Sequence, residues 1–288
     1  MGSEVTILGR NPQFLPMEEP EVSAVAKQKM SETMTIATNH EVVEIGPARR
    51  GRVMVRARDR ETGQDREVVA ESLLIAAGRS PNTDLLDPEK AGLQTDSHGW
   101  LKVNEHLETS VKNIWAFGDA TGKHLFKHAA NHEARVVYAN AVLKEPMTLD
   151  EHAIPHAVFT WPEISSVGMK ESEAVSVYGE DGVVVGFNTF AETARGEAMQ
   201  VEDCFVKVML EEASNRILGA HIIGPQASIL IQELITLMYT EGQTPDPLVR
   251  GIHIHPSLSE VVEGAFFNLM MHRDFQHLQS HMAPELFG

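Results

Sequence analysis

The sequence predicts two architectures in one chain, an α/β unit followed by an α+β unit. Three observations carry this. A short apolar strand at residues 4–10 is followed at once by a helix-spaced stretch. A second buried-type strand at residues 72–77 runs into Gly78. From Ile154 onward, alternating strands come first and helices last, the order of an antiparallel sheet with helices on one face. A length of 288 residues accommodates about two domains.

Each element has its own warrant. Residues 4–10 are β-branched and apolar, and Asn11-Pro12-Gln13 then supplies turn chemistry. Residues 18–30 carry Val22, Val25, Ala26 and Met30 on one helical face, with glutamates in the first turn, where the helix dipole favours them. Residues 33–38, 41–45 and 53–58 read as short strands separated by polar turns rich in Arg, Gly and Asp. A strand is expected at 113–117 and a helix at about 125–142, followed by a linker that starts at Pro146. Strands at 157–169, 182–190 and 204–210 continuing to 223 precede helices at 226–240 and 258–271. The polar tail 273–288, with His277 and His281 just after His272, is expected to be loosely held.

Composition excludes several classes. The apolar fraction of 42% and charged fraction of 23% suit a globular protein rather than a disordered one. A formal charge of −17 disfavours nucleic acid and anionic membranes as partners, because phosphates would be repelled. No apolar run approaches the ~18–20 residues of a membrane span, and a cytoplasmic, soluble chain is expected. The one cysteine, Cys204, cannot form an intramolecular disulfide or a multi-cysteine metal site. It lies in an alternating strand, so a packed thiol is expected.

Three segments carry chemistry. Ile114-Trp115-Ala116-Phe117-Gly118-Asp119 places Gly-Asp after an apolar stretch, where a sheet presents ligands. The carboxylate suits sugar or ribityl hydroxyls, although an Asp capping the next helix fits equally well. Ala76-Ala77-Gly78-Arg79-Ser80-Pro81-Asn82 also ends a strand on glycine. In His253-Ile254-His255-Pro256-Ser257-Leu258-Ser259-Glu260, alternate histidines share a face, but spacing offers no third metal ligand and no metal is expected. His255 and Glu260 either form an imidazole–carboxylate pair or are a structural His and a helix-surface Glu.

Five motifs in order resemble the pyridine nucleotide–disulfide oxidoreductase family, which includes dihydrolipoamide dehydrogenase, glutathione, mercuric and mycothione reductases. They are Gly78-Arg79-x-Pro81-Asn82, Gly118-Asp119, Leu125-Phe126, Phe159-Thr160-x-Pro162-Glu163-Ile164-x-Ser166-Val167-Gly168, and the His255 to Glu260 segment. The resemblance spans residues 2–272. It implies a truncated Rossmann-like NAD(P)-binding portion at 1–78 and the C-terminal segment of an FAD-binding domain at 79–148. It also implies an antiparallel dimerisation domain at 149–272, followed by the tail. In its terms His255 is the acid–base, acting on the opposite subunit of a homodimer, and Glu260 is its partner. Gly118, Asp119, Leu125 and Phe126 would meet FAD, while Gly78 and Arg10 would meet NAD(P). Arg10 follows Gly9, which stands where an acidic residue would select NADH, so NADPH is favoured over NADH. The substrate would be a small-molecule or lipoyl disulfide, and dihydrolipoamide dehydrogenase or mycothione reductase is the nearest type.

The sequence also departs from that pattern. No Gly-x-Gly-x-x-Gly occurs, and a single cysteine cannot supply the Cys-x4-Cys pair. The chain is therefore expected to begin inside a domain and to be inactive alone. The competing expectation is a non-catalytic dimerisation module.

Overall fold

The computed structural model describes residues 2–286, with side chains described to residue 279. By contacts the chain divides into two units: residues 1–73 together with 155–288, and residues 74–154.

In the first unit, β1 (Thr6–Leu8) pairs in parallel with β2 (Thr35–Ala37), and α1 (Pro20–Ser31) connects them. This is the strand–helix–strand unit that the periodicity of residues 4–38 predicts. Pro20 opens α1, where its missing N–H costs nothing, and Val22, Val25 and Ala26 are buried. An antiparallel three-stranded sheet follows, β3 (His40–Pro47), β4 (Val53–Asp59) and β5 (Asp65–Ala70). Arg58 and Asp65 face each other across β4 and β5, with a 2.8 Å hydrogen bond from Arg58 Nε.

The strand expected at 72–77 does not form. Leu74 is 87% and Ile75 71% exposed, and no strand pairs with this segment among the described residues. A buried parallel strand needs neighbours on both sides, and the described residues supply none here.

The second unit is mostly turns and short 3₁₀ segments. Residues 113–117 make only an isolated bridge, Glu108 to Trp115, rather than a strand. The helix expected at 125–142 is α2 (Lys127–Tyr138), prolonged by a wider π-type turn over Ala139–Leu143.

The rest of the first unit centres on a six-stranded antiparallel sheet. Its strands are β6 (His156–Val158), β7 (Ile164–Gly168), β8 (Val183–Thr189), β9 (Phe205–Glu211), β10 (Ile217–Ile223) and β11 (Leu269–Met271). The spatial order is β11-β8-β9-β10-β7-β6. The single strand expected over 157–169 is thus two, β6 and β7, interrupted by a turn that contains Trp161 and Pro162. The helices are α3 (Glu171–Tyr178), α4 (Ala194–Ala198), α5 (Ala227–Met238), α6 (Asp246–Val249), α7 (Ser259–Phe267) and α8 (His272–Leu286).

Helices cover both faces of this sheet, not one as the element order suggests. α5 and α7 pack on one face, where Ser165 Oγ donates to Ala227 O and Asn188 Nδ2 to Val261 O. α1, α3 and α8 pack on the other, around Val183, Val185, Phe187, Phe205, Met209 and Phe275. The tail expectation is overturned as well. Residues 272–286 form α8, anchored by Phe275 in the core and by His272 Nε2 at 2.8 Å from Glu171 Oε1. His281 lies outside the described side chains.

Cys204 is buried just before β9, and burial pushes its thiol up to about 12.

Candidate functional site

Two separate constellations emerge, one in each unit. The first is built on the turn into α7. Glu260 sits in the first turn of α7, where its Oε2 accepts from the Ser257 backbone N–H at 2.8 Å, tying the helix start to the preceding turn. Its other oxygen, Oε1, lies 2.7 Å from His255 Nδ1. The imidazole–carboxylate pair is therefore formed, and one carboxylate both holds the turn before α7 and orients a ring. The Ser257 N–H first, and His255 second, hold the Glu260 carboxyl below its ordinary value, so it is ionised at neutral pH. The His255 side chain is 69% exposed, with Nδ1 on the carboxylate. His253 faces away, towards Glu263 and Glu233, so the two histidines serve different carboxylates.

The second constellation surrounds Gly118 and Asp119. Gly118 has φ +65°, and a Cβ there would lie 3.1 Å from Ala130 Cβ, so only glycine turns the chain here without strain. Asp119 caps no helix. Its Oδ2 accepts from Arg79 Nη1 at 2.8 Å, and the same nitrogen lies 3.3 Å from Leu125 O. One guanidinium thus draws together the Gly-Arg, Gly-Asp and Leu-Phe motifs. Phe126 stacks on His128 with centroids 5.3 Å apart. Gly78 adopts φ +115°. Arg10 is exposed beyond β1, in the other unit.

Two functional-looking residues escaped sequence reasoning. Glu133 on α2 is buried, and its Oε2 accepts the Gly118 N–H, fixing the turn that presents Asp119. The signal was a lone carboxylate on the helix face that holds Ala129 and Val136. Lys207 on β9 is fully buried, 2.8 Å from Glu19 Oε2 and 2.9 Å from Glu21 Oε1, and also pairs with Glu171. Glu19, Glu21 and Glu171 bring oxygens within 4.8 Å of one another, a spacing a metal could use, but the Lys207 ammonium is shared among all three. Burial opposes the charge of Lys207, yet the three carboxylates outweigh it and raise its pKa. Burial likewise opposes the charge of Glu19, and Lys207 with His221 overcomes it, leaving that carboxyl below its ordinary value.

Comparison with known proteins decides what these constellations have in common. Residues 1–139 match the pyridine nucleotide-disulphide oxidoreductase family model, and residues 154–266 match the dimerisation domain of the same family. The chain belongs to the pyridine nucleotide–disulphide oxidoreductase family. Among relatives, the mycothione reductase of Mycobacterium tuberculosis is 43% identical over 206 residues, covering 69% of this chain and 44% of that protein. The dihydrolipoyl dehydrogenase of Haloferax volcanii is 36% identical over 273 residues, covering 94% of this chain and 56% of that protein. Among solved structures, the flavoprotein disulfide reductase RclA of Escherichia coli superposes with a TM-score of 0.80 at 29% identity, covering 92% of this chain and 59% of that one. The chain thus spans about half the length of the curated relatives it matches. Members of this family use FAD and NAD(P)H. Among the described residues, no helix is long and apolar enough to cross a membrane.

Proposed function

We propose that this chain carries the acid–base and pairing half of an FAD-dependent disulfide reductase of the dihydrolipoamide dehydrogenase or mycothione reductase type. In that reading residues 1–78 belong to the NAD(P)-binding domain, 79–148 to the FAD-binding domain and 149–272 to a homodimerising domain, with cytoplasmic residence. The observation that carries the reading is the His255–Glu260 contact of 2.7 Å beneath an exposed ring.

The chemistry of His255 follows from that geometry. A carboxylate can only accept, so neutral His255 holds its hydrogen on Nδ1 and keeps the Nε2 lone pair for a proton. Nε2 takes the proton of a substrate thiol as the thiolate attacks a disulfide, then returns it to the departing sulfur. Glu260 compensates the positive charge the ring carries in between. The exposed ring, with Nδ1 taken by Glu260, suits a donor or acceptor on a partner subunit or a small-molecule or lipoyl disulfide.

The flavin motif fits its group. The glycine turn at Gly118 leaves room for close backbone approach, and the exposed Asp119 carboxylate can accept hydroxyl donors of a ribityl chain. Gly118, Asp119 and the backbone of Leu125 and Phe126 would hold FAD, which when bound passes electrons from the nicotinamide to the disulfide. Arg79 would yield its contact with Asp119 to that chain or share it. Gly78 and Arg10 would face NAD(P), and the exposed guanidinium of Arg10 suits the 2′-phosphate of NADPH.

Turnover on this reading requires a flavin-domain Cys pair, which this sequence does not contain. The test supplies that half as a separate polypeptide or a fusion and measures NAD(P)H-dependent disulfide reduction. The restored enzyme is expected to lose about 10²-fold or more on His255→Ala. Full activity in that variant would refute the assignment. A dimeric chain that stays colourless and inactive after complementation would favour a purely structural dimerisation module.

A further inference from the structure

The segment that carries His255 has little to hold it in place. Between Gly251, whose N–H bonds to Leu248 O at 3.0 Å, and Leu258, no residue makes a backbone–backbone hydrogen bond among the described residues. Ile252 is 101% and Ile254 78% exposed, so neither apolar side chain anchors the strip. From Gly251 to Pro256, His253 is the one residue that is not exposed, with 13% of its side chain accessible. Its ring is aimed inward at carboxylates from two helices. Nδ1 lies 3.1 Å from Glu263 Oε1 on α7, and Nε2 lies 3.8 Å from Glu233 Oε2 on α5. Neither contact is an aligned hydrogen bond; both are close approaches of the ring to a carboxylate oxygen. Burial raises the Glu233 carboxyl above its ordinary value, His253 opposes that rise, and Glu263 adds to it. Two carboxylates in a half-buried position are costly without a donor between them, so each has reason to keep the ring.

We propose that His253 is a positioning residue for His255: its ring, shared between Glu233 on α5 and Glu263 on α7, tethers residues 251–257 so that His255 stays on Glu260. The proposal rests on His255 being the acid–base, and it gives the first histidine of the segment a task that touches no substrate. Without the tether, the strip is held only near its two ends, by the Gly251 N–H bond and by the Ser257 contacts with Ser259 and Glu260, and the ring spends less time with Nδ1 on Oε1.

The tautomer of His255 reads this in the 288-residue chain, with no cofactor needed. Long-range ¹H–¹⁵N NMR of the neutral imidazole is expected to show the Nδ1–H form in about tenfold excess, the size one charge-assisted hydrogen bond supplies. Glu260→Ala should abolish the excess. His253→Ala should reduce it to within about twofold and lower the ¹H–¹⁵N heteronuclear NOE of residues 252–256. His253→Gln, which still offers donors to both carboxylates, should recover most of it. Amide exchange of β9 and β10 checks that each variant is folded, and the pair Glu233→Gln with Glu263→Gln cuts the tether while leaving His253 in place. An unchanged tautomer ratio in His253→Ala, with Glu260→Ala still effective, would overturn the tether and spare the dyad. An unchanged ratio in Glu260→Ala would overturn the dyad, and the tether with it.

Discussion

Replacing Lys207 with methionine should reveal how much of the first unit depends on one ammonium. Methionine nearly matches the lysine stem in length and apolar packing, so the change removes charge more than volume. It leaves Glu19, Glu21 and Glu171 sharing a buried site with no cation among them. Removing one partner of a buried ion pair costs ~3–5 kcal/mol, because the surviving charge is desolvated and uncompensated. With a urea m-value of ~3 kcal/mol/M for a unit of this size, the midpoint should fall by roughly 1–2 M. The assay is urea unfolding followed by pulsed hydrogen exchange of residues 205–223, which reports this unit rather than residues 74–154. The pH dependence has a definite sign. In the parent chain Glu19 titrates below its ordinary value, so its contribution is present above the unfolded carboxylate range of ~4.3 and is lost as pH falls through the folded value. The raised Lys207 contributes throughout neutral pH and loses its effect only as pH climbs through its folded value, above the unfolded lysine range of ~10.4. In the variant the orphaned carboxylates take up protons more readily on folding, so its deficit should shrink as pH falls from 7 to 5. Adding Glu19→Gln to Lys207→Met should recover part of the loss, a coupling that independent sites would not show. A loss below about 1 kcal/mol, or strict additivity in the double variant, would refute the reasoning.

Glu133→Ala should destabilise residues 74–154 by about 1–3 kcal/mol, since the buried Gly118 N–H loses its acceptor; thermal unfolding read by Trp100 and Trp115 fluorescence checks this. Gly118→Ala should cost about 1–2 kcal/mol in the same assay, from the left-handed backbone and the 3.1 Å approach to Ala130. Cys204 should resist N-ethylmaleimide at pH 8 in the folded chain, because with its thiol at about 12 only on the order of 10⁻⁴ is thiolate; mass spectrometry should show labelling only after urea is added. Glu18→Gln should lower stability, because Glu18 accepts from Ser166 and meets His156 at 2.6 Å. That loss should vanish as pH falls through the low folded value of Glu18 in calorimetric scans.

What was legible in the sequence follows the range of the forces involved. β1, α1, β3, β4 and α5 were readable because their apolar spacing and turn residues act within a few positions, whereas β5 falls at Asp65–Ala70, before the strand expected at 72–77. Spacing alone keeps His255 and Glu260 open between a pair and two unrelated side chains; the family resemblance favours the pair, and the 2.7 Å contact forms it. Lys207 was not readable. Its cage comes from residues 19, 21 and 171, and nothing local marks a lysine in a strand as buried. The tail looked loose because its polar residues dominate, yet Phe275 inserts into the core and His272 finds Glu171 across 101 positions. Residues 72–77 misled in the opposite sense: their composition states a preference for burial, but burial needs a neighbour the pattern does not contain.

The carboxylates of residues 18–21 also set an order of events. Their partners, His156, Ser166, Lys207 and His221, lie about 140 to 200 positions downstream. During synthesis the amino-terminal strands emerge long before the residues that neutralise them, while residues 74–154 can gather from contacts already exposed. Non-local closure of this kind is slow. On a ribosome, Glu19 and Glu21 therefore wait for Lys207, and a pause before it would leave Glu19, Glu21 and Glu171 without their shared cation, holding the unit open.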